Sequence, residues 1–472
     1  MGQIYLEFDN QLKQSDIIIP LTNSSVDEAG ENYVYNKEGV QQTSIYGILT
    51  PLIQINDIVV DFLDIERFTL KSKSPLPSVE LTVRDRYNLI KTLDTPGNDN
   101  ELRIQILPPF DNAYKKINLT FYISKINISG DLIEVVGAYK VPLLTSSKFK
   151  CFGKLNTYEL FKNIARETQL GFATNCGDTL DERYMYCDFT SYKDLLDEEI
   201  RLAKSDETHI YDWWVDLWNN VNFVNIYERY NTIDPEEDMQ IWVSGQPKTL
   251  IEGVTVEPHQ VSAILNNLPS DGQLELKVDN YEIINKPGSQ MSQGSDKVYS
   301  IYMEDLYEYK DTLIQDGDTK KDIFEHYEYL GEVYGEYNYL LAEVCRDAYL
   351  QKMGTESIKI TLKTPLLALM RGHKVDFVWY INDAQYETRK TNFKNLGIIN
   401  ENIQTTPVLD DTVEGENLND LYKEFTKDET ISGQYMITAQ DMTYENGQWY
   451  YELILNRPLS HKPKLINEEL KQ

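Results

Sequence analysis

Catalytic signatures are what this sequence has least of. It contains no HExxH, no GxSxG and no phosphate-cradling GxxxxGK[ST], and Gly-rich nucleotide loops are absent. Zinc-hydrolase, serine-hydrolase and P-loop chemistry therefore have no local motif to stand on. Cysteine and histidine are scarce. Cys151, Cys176, Cys187 and Cys345 show no CxxC spacing, and His209, His259, His326, His373 and His461 stand singly. That spacing leaves zinc sites and thiol redox motifs unsupported and predicts reduced, mostly buried thiols in a cytoplasmic compartment. Long apolar runs are missing too. The stretch richest in apolar residues, from Trp213 to Ile226, is broken by Asp216 and several Asn. Nothing approaches the ~18–20 apolar residues that span a bilayer. The start, Met1 to Leu6, lacks a basic region followed by an apolar one, and Leu6 stands where myristoylation wants Ser or Thr. The expectation is a soluble chain without a signal peptide, not exported by itself.

Positive charge is the other shortage. Lys and Arg number 45 against 76 Asp and Glu, for a net charge of −31. Phosphate-backbone binding needs clustered Lys and Arg, and no segment carries such a cluster. The plain reading is an acidic surface that keeps the protein soluble. The sharper one is a surface that must meet DNA without holding it, such as a channel wall.

What is present is enough apolar material for several cores: 472 residues, 41% hydrophobic, with 33 Tyr. That length predicts three or four folding units. Residues 1–45 read as an N-terminal arm with a strand-like start at Ile4 to Phe8. Leu52 to Ile55 and Ile58 to Val60 flank Asn56-Asp57, a tight hairpin turn. The stretches Ile65–Leu70, Val79–Val83, Leu102–Ile106, Leu119–Ile126 and Leu132–Val136 then alternate apolar and polar at the strand period. They point to a small antiparallel barrel or sandwich.

Near residue 150 the period changes. Asn156-Thr157-Tyr158-Glu159 has the form of a capping box, with Leu160, Phe161, Ile164 and Ala165 on one face and Gly171 as the stop. A second helix is predicted from Ser191, with Leu195, Leu196, Ile200 and Ala203 inward. A third is predicted over Tyr211–Val221, carrying Trp213, Trp214, Leu217 and Trp218 and running into a strand at Phe223–Tyr227. Gly288 to Ser295 reads as a flexible loop, and Thr319–Met353 as a long helical stretch. Strands return at Ile358–Leu362, Lys374–Ile381, Gln434–Ala439, Met442–Tyr444 and Gln448–Asn456, with an Asn446-Gly447 hairpin turn. The whole is a coarse duplication: barrel, helices, mixed segment, helix, barrel.

Carboxylate pairs such as Asp197-Glu198-Glu199 have the residue types a glycosidase needs, but 76 acidic residues produce such pairs by chance. Tyr211 to Trp218 offers a sugar-stacking platform as one reading; its helical spacing favours a core or an interface. No catalytic, cofactor-binding or metal-binding residue is assigned, and no cofactor is expected.

Larger stretches carry a resemblance. Lys154-Leu155-Asn156-Thr157-Tyr158-Glu159-Leu160-Phe161-Lys162-Asn163-Ile164-Ala165, continuing through Leu170-Gly171-Phe172-Ala173-Thr174-Asn175, resembles a capped helix and turn of the baseplate hub proteins of tailed phages. Trp213-Trp214-Val215-Asp216 with Val221 to Asn225 is similar to that family's helix-then-strand segment. Leu76 to Asp85 resembles part of its first tube-forming domain. Ser432 to Ile437, Gly447 to Tyr450 and Leu453 to Arg457 resemble the closing hairpin of its second, with Arg371 to Val375 as a turn into a strand. The N-terminal part of type VI secretion spike proteins is similar as well. Segments 1–45, 270–315 and 401–430 have no counterpart.

The resemblance implies an α+β fold with two small antiparallel β-barrel tube domains and helical and mixed segments between them. The expected boundaries are an arm 1–45, a first barrel 46–147, a helical domain 148–235, a mixed α/β domain 236–338 and a second barrel 339–472 with an acidic insertion 401–430. It implies a homotrimeric ring in the virion tail, made in the host bacterial cytoplasm. Six barrels would imitate the six-fold tail tube on one side, and a cup would meet the trimeric spike on the other. The implied partners are the tail tube protein, the spike protein and other baseplate subunits, with DNA passing through without tight binding and no membrane insertion. Rival readings are a phage surface glycan-binding protein or glycosidase, and a distal-tail or tube-capping protein; a trimeric ring with a central hole discriminates.

Overall fold

The computed structural model describes residues 5–8, most of 51–231, short stretches between 239 and 322, single positions between 346 and 354, most of 356–379, position 428 and residues 431–458. Of the expected arm 1–45 only Tyr5–Phe8 is among them. The Gly288–Ser295 loop lies outside the described residues, as does the 401–430 insertion apart from Asp428.

Strand β1 (Tyr5–Phe8) precedes a run of seven strands: β2 (Leu52–Ile55), β3 (Ile58–Val60), β4 (Ile65–Ser72), β5 (Ser78–Arg84), β6 (Glu101–Ile106), β7 (Ile117–Ser129) and β8 (Leu132–Tyr139). The β2–β3 hairpin turns where expected, with Asn56 at φ 51°, a left-handed conformation that Asn tolerates. The seven lie in the order β4-β5-β8-β7-β6-β2-β3, every pairing antiparallel. In β5 the apolar Val79, Leu81 and Val83 are buried while Glu80 and Arg84 are exposed, the two-residue period expected of a sheet with one wet face. At Gly137 in β8 a Cβ would sit 2.6 Å from Val79 Cγ1 and 2.9 Å from Phe121 Cβ, so only glycine lets these side chains close over the strand.

The middle of the chain is less helical than expected. It runs α1 (Pro142–Thr145), β9 (Ser147–Leu155), α2 (Thr157–Glu167), β10 (Gly171–Thr174), β11 (Arg183–Ser191), α3 (Tyr192–Glu199), β12 (Tyr211–Val215), β13 (Asn220–Asn225) and α4 (Ile226–Asn231). The Asn156 side chain caps α2 by accepting from Glu159 N at 2.8 Å, and Ser191 caps α3 through Asp194 N. The stop differs: α2 ends at Glu167, Gln169 takes φ 59°, and Gly171 already opens β10. The helix expected over Tyr211–Val221 is instead a hairpin. Asp216 accepts from Trp218 N and Asn220 N and Asn219 sits at φ 62°, which turns the chain between β12 and β13. Both strands are buried on both faces, so their near-continuous apolar run mimics a helix pattern. The sheet order is β1-β10-β13-β12, with β9 and β11 as a separate ribbon.

The last part holds β14 (Met239–Val243), β15 (Gly253–Val256), β16 (Val261–Leu265), a four-stranded sheet β17 (Gln273–Lys277), β18 (Val298–Tyr302), β19 (Leu313–Asp316) and β20 (Thr319–Asp322), then β21 (Glu356–Leu362), β22 (Lys374–Trp379), β23 (Gly433–Glu445) and β24 (Gln448–Arg457). The long helix expected from Thr319 begins as β20; Arg346, Leu350 and Met353 are helical, and the rest lies outside the described residues. Strands β14 and β16, from the stretch read as a separate mixed segment, pair directly with β22 and β21, and β15 adds to β14. A short strand in a distant sheet leaves no local mark of its partner, which is why sequence periodicity misplaced this boundary.

These strands lie in the order β16-β21-β24-β23-β22-β14-β15. Ranked by position in the chain, that is the same order as β4-β5-β8-β7-β6-β2-β3. The pairings of β14 are parallel where those of β2 are antiparallel; the other equivalent pairings are antiparallel in both sets. The details repeat as well. Strands β7 and β23 are both 13 residues long. Each carries a bulge in its ladder with the strand that follows it, between Ile123 and Lys125 and between Ile437 and Ala439. The hydroxyl of the extra residue bonds the facing strand's carbonyl in both: Ser124 Oγ to Val136 O at 3.0 Å, Thr438 Oγ1 to Ile454 O at 3.3 Å. Among the described residues no ladder closes either set on itself. Instead of two separate closed barrels, the edge strand β4 of the first set joins the central strand β23 of the second, making one 14-stranded sheet.

Candidate functional site

The joint between the two halves is built on β23, whose one edge serves two partners. Residues Gly433–Met436 pair with β22, and past the bulge Gln440–Glu445 pair with β4. Past the bulge the strand's second half leaves β22 while staying paired with β24. Across the seam Thr69 and Thr443 share a hydroxyl hydrogen bond of 3.1 Å, Lys73 faces Asp441 at 3.5 Å, and Met442 and Tyr444 are buried. Phe68 meets Trp449 edge-on at 6.1 Å and Tyr444 meets the same ring at 5.3 Å. The Asn446-Gly447 turn, at φ 52° and 78°, closes the hairpin beyond the seam.

Above the seam the middle region locks on through charge. Arg371, nearly buried, donates to the carbonyls of Lys73 and Ser74 at 3.2 and 2.9 Å and to Asp212 Oδ2 at 3.2 Å. Its guanidinium lies 4.8 Å from the Trp214 ring. Arg346 reaches the other oxygen of Asp212 at 3.4 Å and bonds Tyr211 O. Burial pulls the Arg371 pKa down, and the Asp212 carboxylate offsets this. A cavity of about 190 Å³ opens beside it, lined by Trp214, Asp216, Asn220, Asn222, Arg371 and His373 among others. Asp216 is buried there and burial raises its pKa, opposed by hydrogen bonds from Asn220. Arg346, Arg371 and Asp212 tie distant segments of the chain to one another, as an architectural joint requires, while Asp216 holds its own turn.

The residues weighed for chemistry have packing, hydrogen-bond or ion-pair partners within the fold. Trp213 packs edge-on against Phe161 at 5.8 Å, and Phe223 lies 4.9 Å from Phe161 and 4.8 Å from Tyr211, so the aromatic cluster is core. Asp197 accepts from Trp213 Nε1 at 2.9 Å and pairs with Lys193 at 2.5 Å. Glu199 and Asp181 both hold Arg183; burial nonetheless raises the Glu199 pKa. Cys176 is buried and its thiol is pushed up to about 12 by burial, Cys187 is buried, and Cys151 is exposed. His373 lines the junction cavity. Among the described residues no cluster of three His, Cys, Asp or Glu is placed to hold a metal, and no helix is long and apolar enough to cross a membrane.

Among the described residues two surfaces stand open, and sequence reasoning singled out neither. The end of β7 past its bulge, Ser124 to Ser129, is largely exposed, with Ile128 at 55%. The ribbon of β9 and β11 presents Phe149, Tyr184, Tyr186 and Phe189 outward, Phe189 held at φ 55° against Phe149. Isolated apolar residues in alternating strands signal burial, and only the missing partner strand shows otherwise.

Comparison with known proteins gives no matching family model and no match among curated proteins. Solved structures do match. A 43 kDa tail protein of prophage MuSo2 from Shewanella oneidensis is similar at a TM-score of 0.45 and 8% identity, over 86% of this chain and 98% of that one. A tail protein from Neisseria meningitidis MC58 follows at 0.43 and 9%, over 86% and 96%. An Escherichia coli type VI secretion component, described as structurally similar to phage T4 tail proteins, matches at 0.38 and 10%, over 88% and 80%. With TM-scores below 0.5, what this chain does rests on its own topology and surfaces.

Proposed function

We propose that this chain is a structural, non-enzymatic hub subunit of a phage tail baseplate, forming a trimeric ring that joins the tail tube to the central spike. The observation that carries this reading is the internal duplication: two seven-strand sets with one strand order, joined by the ladder of β4 with β23. Such a chain presents two near-equivalent units to a ring, so three copies offer six, the count needed to seat on a six-fold tube. In this reading the two sets are the tube-forming barrels, and the middle region with the β17–β20 sheet forms the cup toward the spike. The net charge of −31 suits a conduit wall that repels DNA within a Debye length of roughly 8–10 Å. The partners are the tube protein, the spike and neighbouring baseplate subunits, and the site of action is the virion tail.

Sedimentation velocity on the purified 54.9 kDa chain tests this. A single species of three chains supports the hub; a chain that stays monomeric at all concentrations, alone and with its tube and spike proteins, overturns it.

A further inference from the structure

The duplication makes one joint explicit and leaves its equivalent open. In the seam, β23 past its bulge accepts β4 along one edge. The equivalent of β23 is β7 and the equivalent of β4 is β16, by position in the two strand orders. Past its own bulge β7 pairs only with β8 among the described residues, since its ladder with β6 stops at Tyr122. Strand β16 pairs only with β21 among them, leaving its other edge uncovered. Each chain thus has both members of a second joint, unpaired among the described residues.

The equivalence reaches single residues. Ile123 and Ile437, the residues before the bulges, face Gly137 and Leu455. Gly137 pairs with Val79, which pairs with Leu70; Leu455 pairs with Ile358, which pairs with Ala263. Leu70 therefore corresponds to Ala263 and Thr69 to Ser262. Counting the same steps past each bulge, Met442 corresponds to Ile128 and Thr443 to Ser129.

We propose that β7 of one copy and β16 of a second copy of this chain form an antiparallel ladder of the same kind as β23 with β4, an inference that rests on the ring reading for its partner. The seam's facing pairs, Met442 with Leu70 and Thr443 with Thr69, become Ile128 with Ala263 and Ser129 with Ser262. Burial matches this assignment. Met442 is 1% exposed under β4, whereas Ile128 is 55% exposed, and Ser262 and Ala263 are exposed as well. The hydroxyl contact of Thr69 with Thr443 has a hydroxyl on both sides in Ser262 and Ser129. An uncovered strand edge offers a row of backbone donors and acceptors to another chain. Because the two edges differ, the contact is head-to-tail, the kind that closes into a ring or runs on as a filament.

Paired cysteines test it in the full-length chain, with Cys151→Ser and Cys345→Ser removing the exposed thiol among the described residues and the one outside them. Facing positions in an antiparallel ladder lie within disulfide reach. Ile128→Cys with Ala263→Cys, or Ser129→Cys with Ser262→Cys, is expected to give chains linked in twos and threes on a non-reducing gel, while each single variant gives none. Ile128→Glu is expected to weaken association at least tenfold without shifting the thermal midpoint of the single chain. A ring that forms while both pairs stay unlinked and Ile128→Glu assembles normally overturns the strand contact and leaves the ring reading standing. Linked open filaments support the contact and overturn the ring. A chain that never associates overturns both.

Discussion

The hydroxyls of Thr69 and Thr443 meet at 3.1 Å across 374 residues of sequence, where the sheet of one half continues into the other. Beside them Met442 faces Leu70, both at 1% exposure. Thr443→Val is expected to lower stability by about 0.5–1.5 kcal/mol, one part-buried hydrogen bond. Met442→Asp places an unpaired charge in the seam and should cost about 3 kcal/mol or more. Urea unfolding checks both, and a neutral Met442→Asp would show that the seam is not a packed joint.

Phe161 is fully buried against Trp213 and Phe223 on the inward face of α2. Phe161→Ala should cost about 3–5 kcal/mol. Unchanged thermal stability would mean this face packs against nothing.

Arg371 is the clamp between the middle region and the seam. Arg371→Ala leaves the carbonyls of Lys73 and Ser74 and one side of Asp212 without their donor, an expected loss of about 3–5 kcal/mol. Arg371→Lys keeps the charge but not the fork or the stacking on Trp214, so it should recover only part of the loss. Full recovery would reduce the clamp to a simple charge pair.

Asp441 is largely buried, with Lys73 at 3.5 Å and Lys71 and Glu452 facing it in the two ladders, and burial raises its pKa above the ordinary 3.8. The folded state therefore holds this proton more tightly than the unfolded chain. The carboxyl costs nothing at low pH and subtracts stability as pH climbs from 3.8 through the raised value. Asp441→Asn should match wild type near pH 4 and exceed it at pH 7, read as thermal midpoints across that range. A variant weaker than wild type at pH 7 contradicts the sign.

Much of this architecture was legible locally. Asn156 caps α2, Asn56 and Asn446-Gly447 turn their hairpins, and β5 alternates as written. Tyr211 to Trp218 was misread because a strand buried on both faces has no polar side to reveal its period; the Asp216 and Asn219 turn was the available sign. The Asp212–Arg371 contact spans 159 positions and leaves no sequence trace. The duplication was legible only as a coarse layout. Equivalent residues such as Gly137 and Leu455 share no chemistry, and the equivalence lies in register alone.

The acidic surplus predicts how the protein meets DNA. A conduit should lack the phosphate contacts whose binding falls steeply with salt. No duplex retardation is expected at 150 mM salt with micromolar protein. A salt-dependent shift would contradict the conduit reading of the charge while leaving the hub architecture untouched.

The central claim is the ring of paired halves, and negative-stain microscopy of the purified full-length protein tests it most directly. The account predicts particles with a central hole and six lobes in three-fold repeat, two lobes per chain. Compact particles without a hole, or rings whose lobes do not come in pairs, would contradict it.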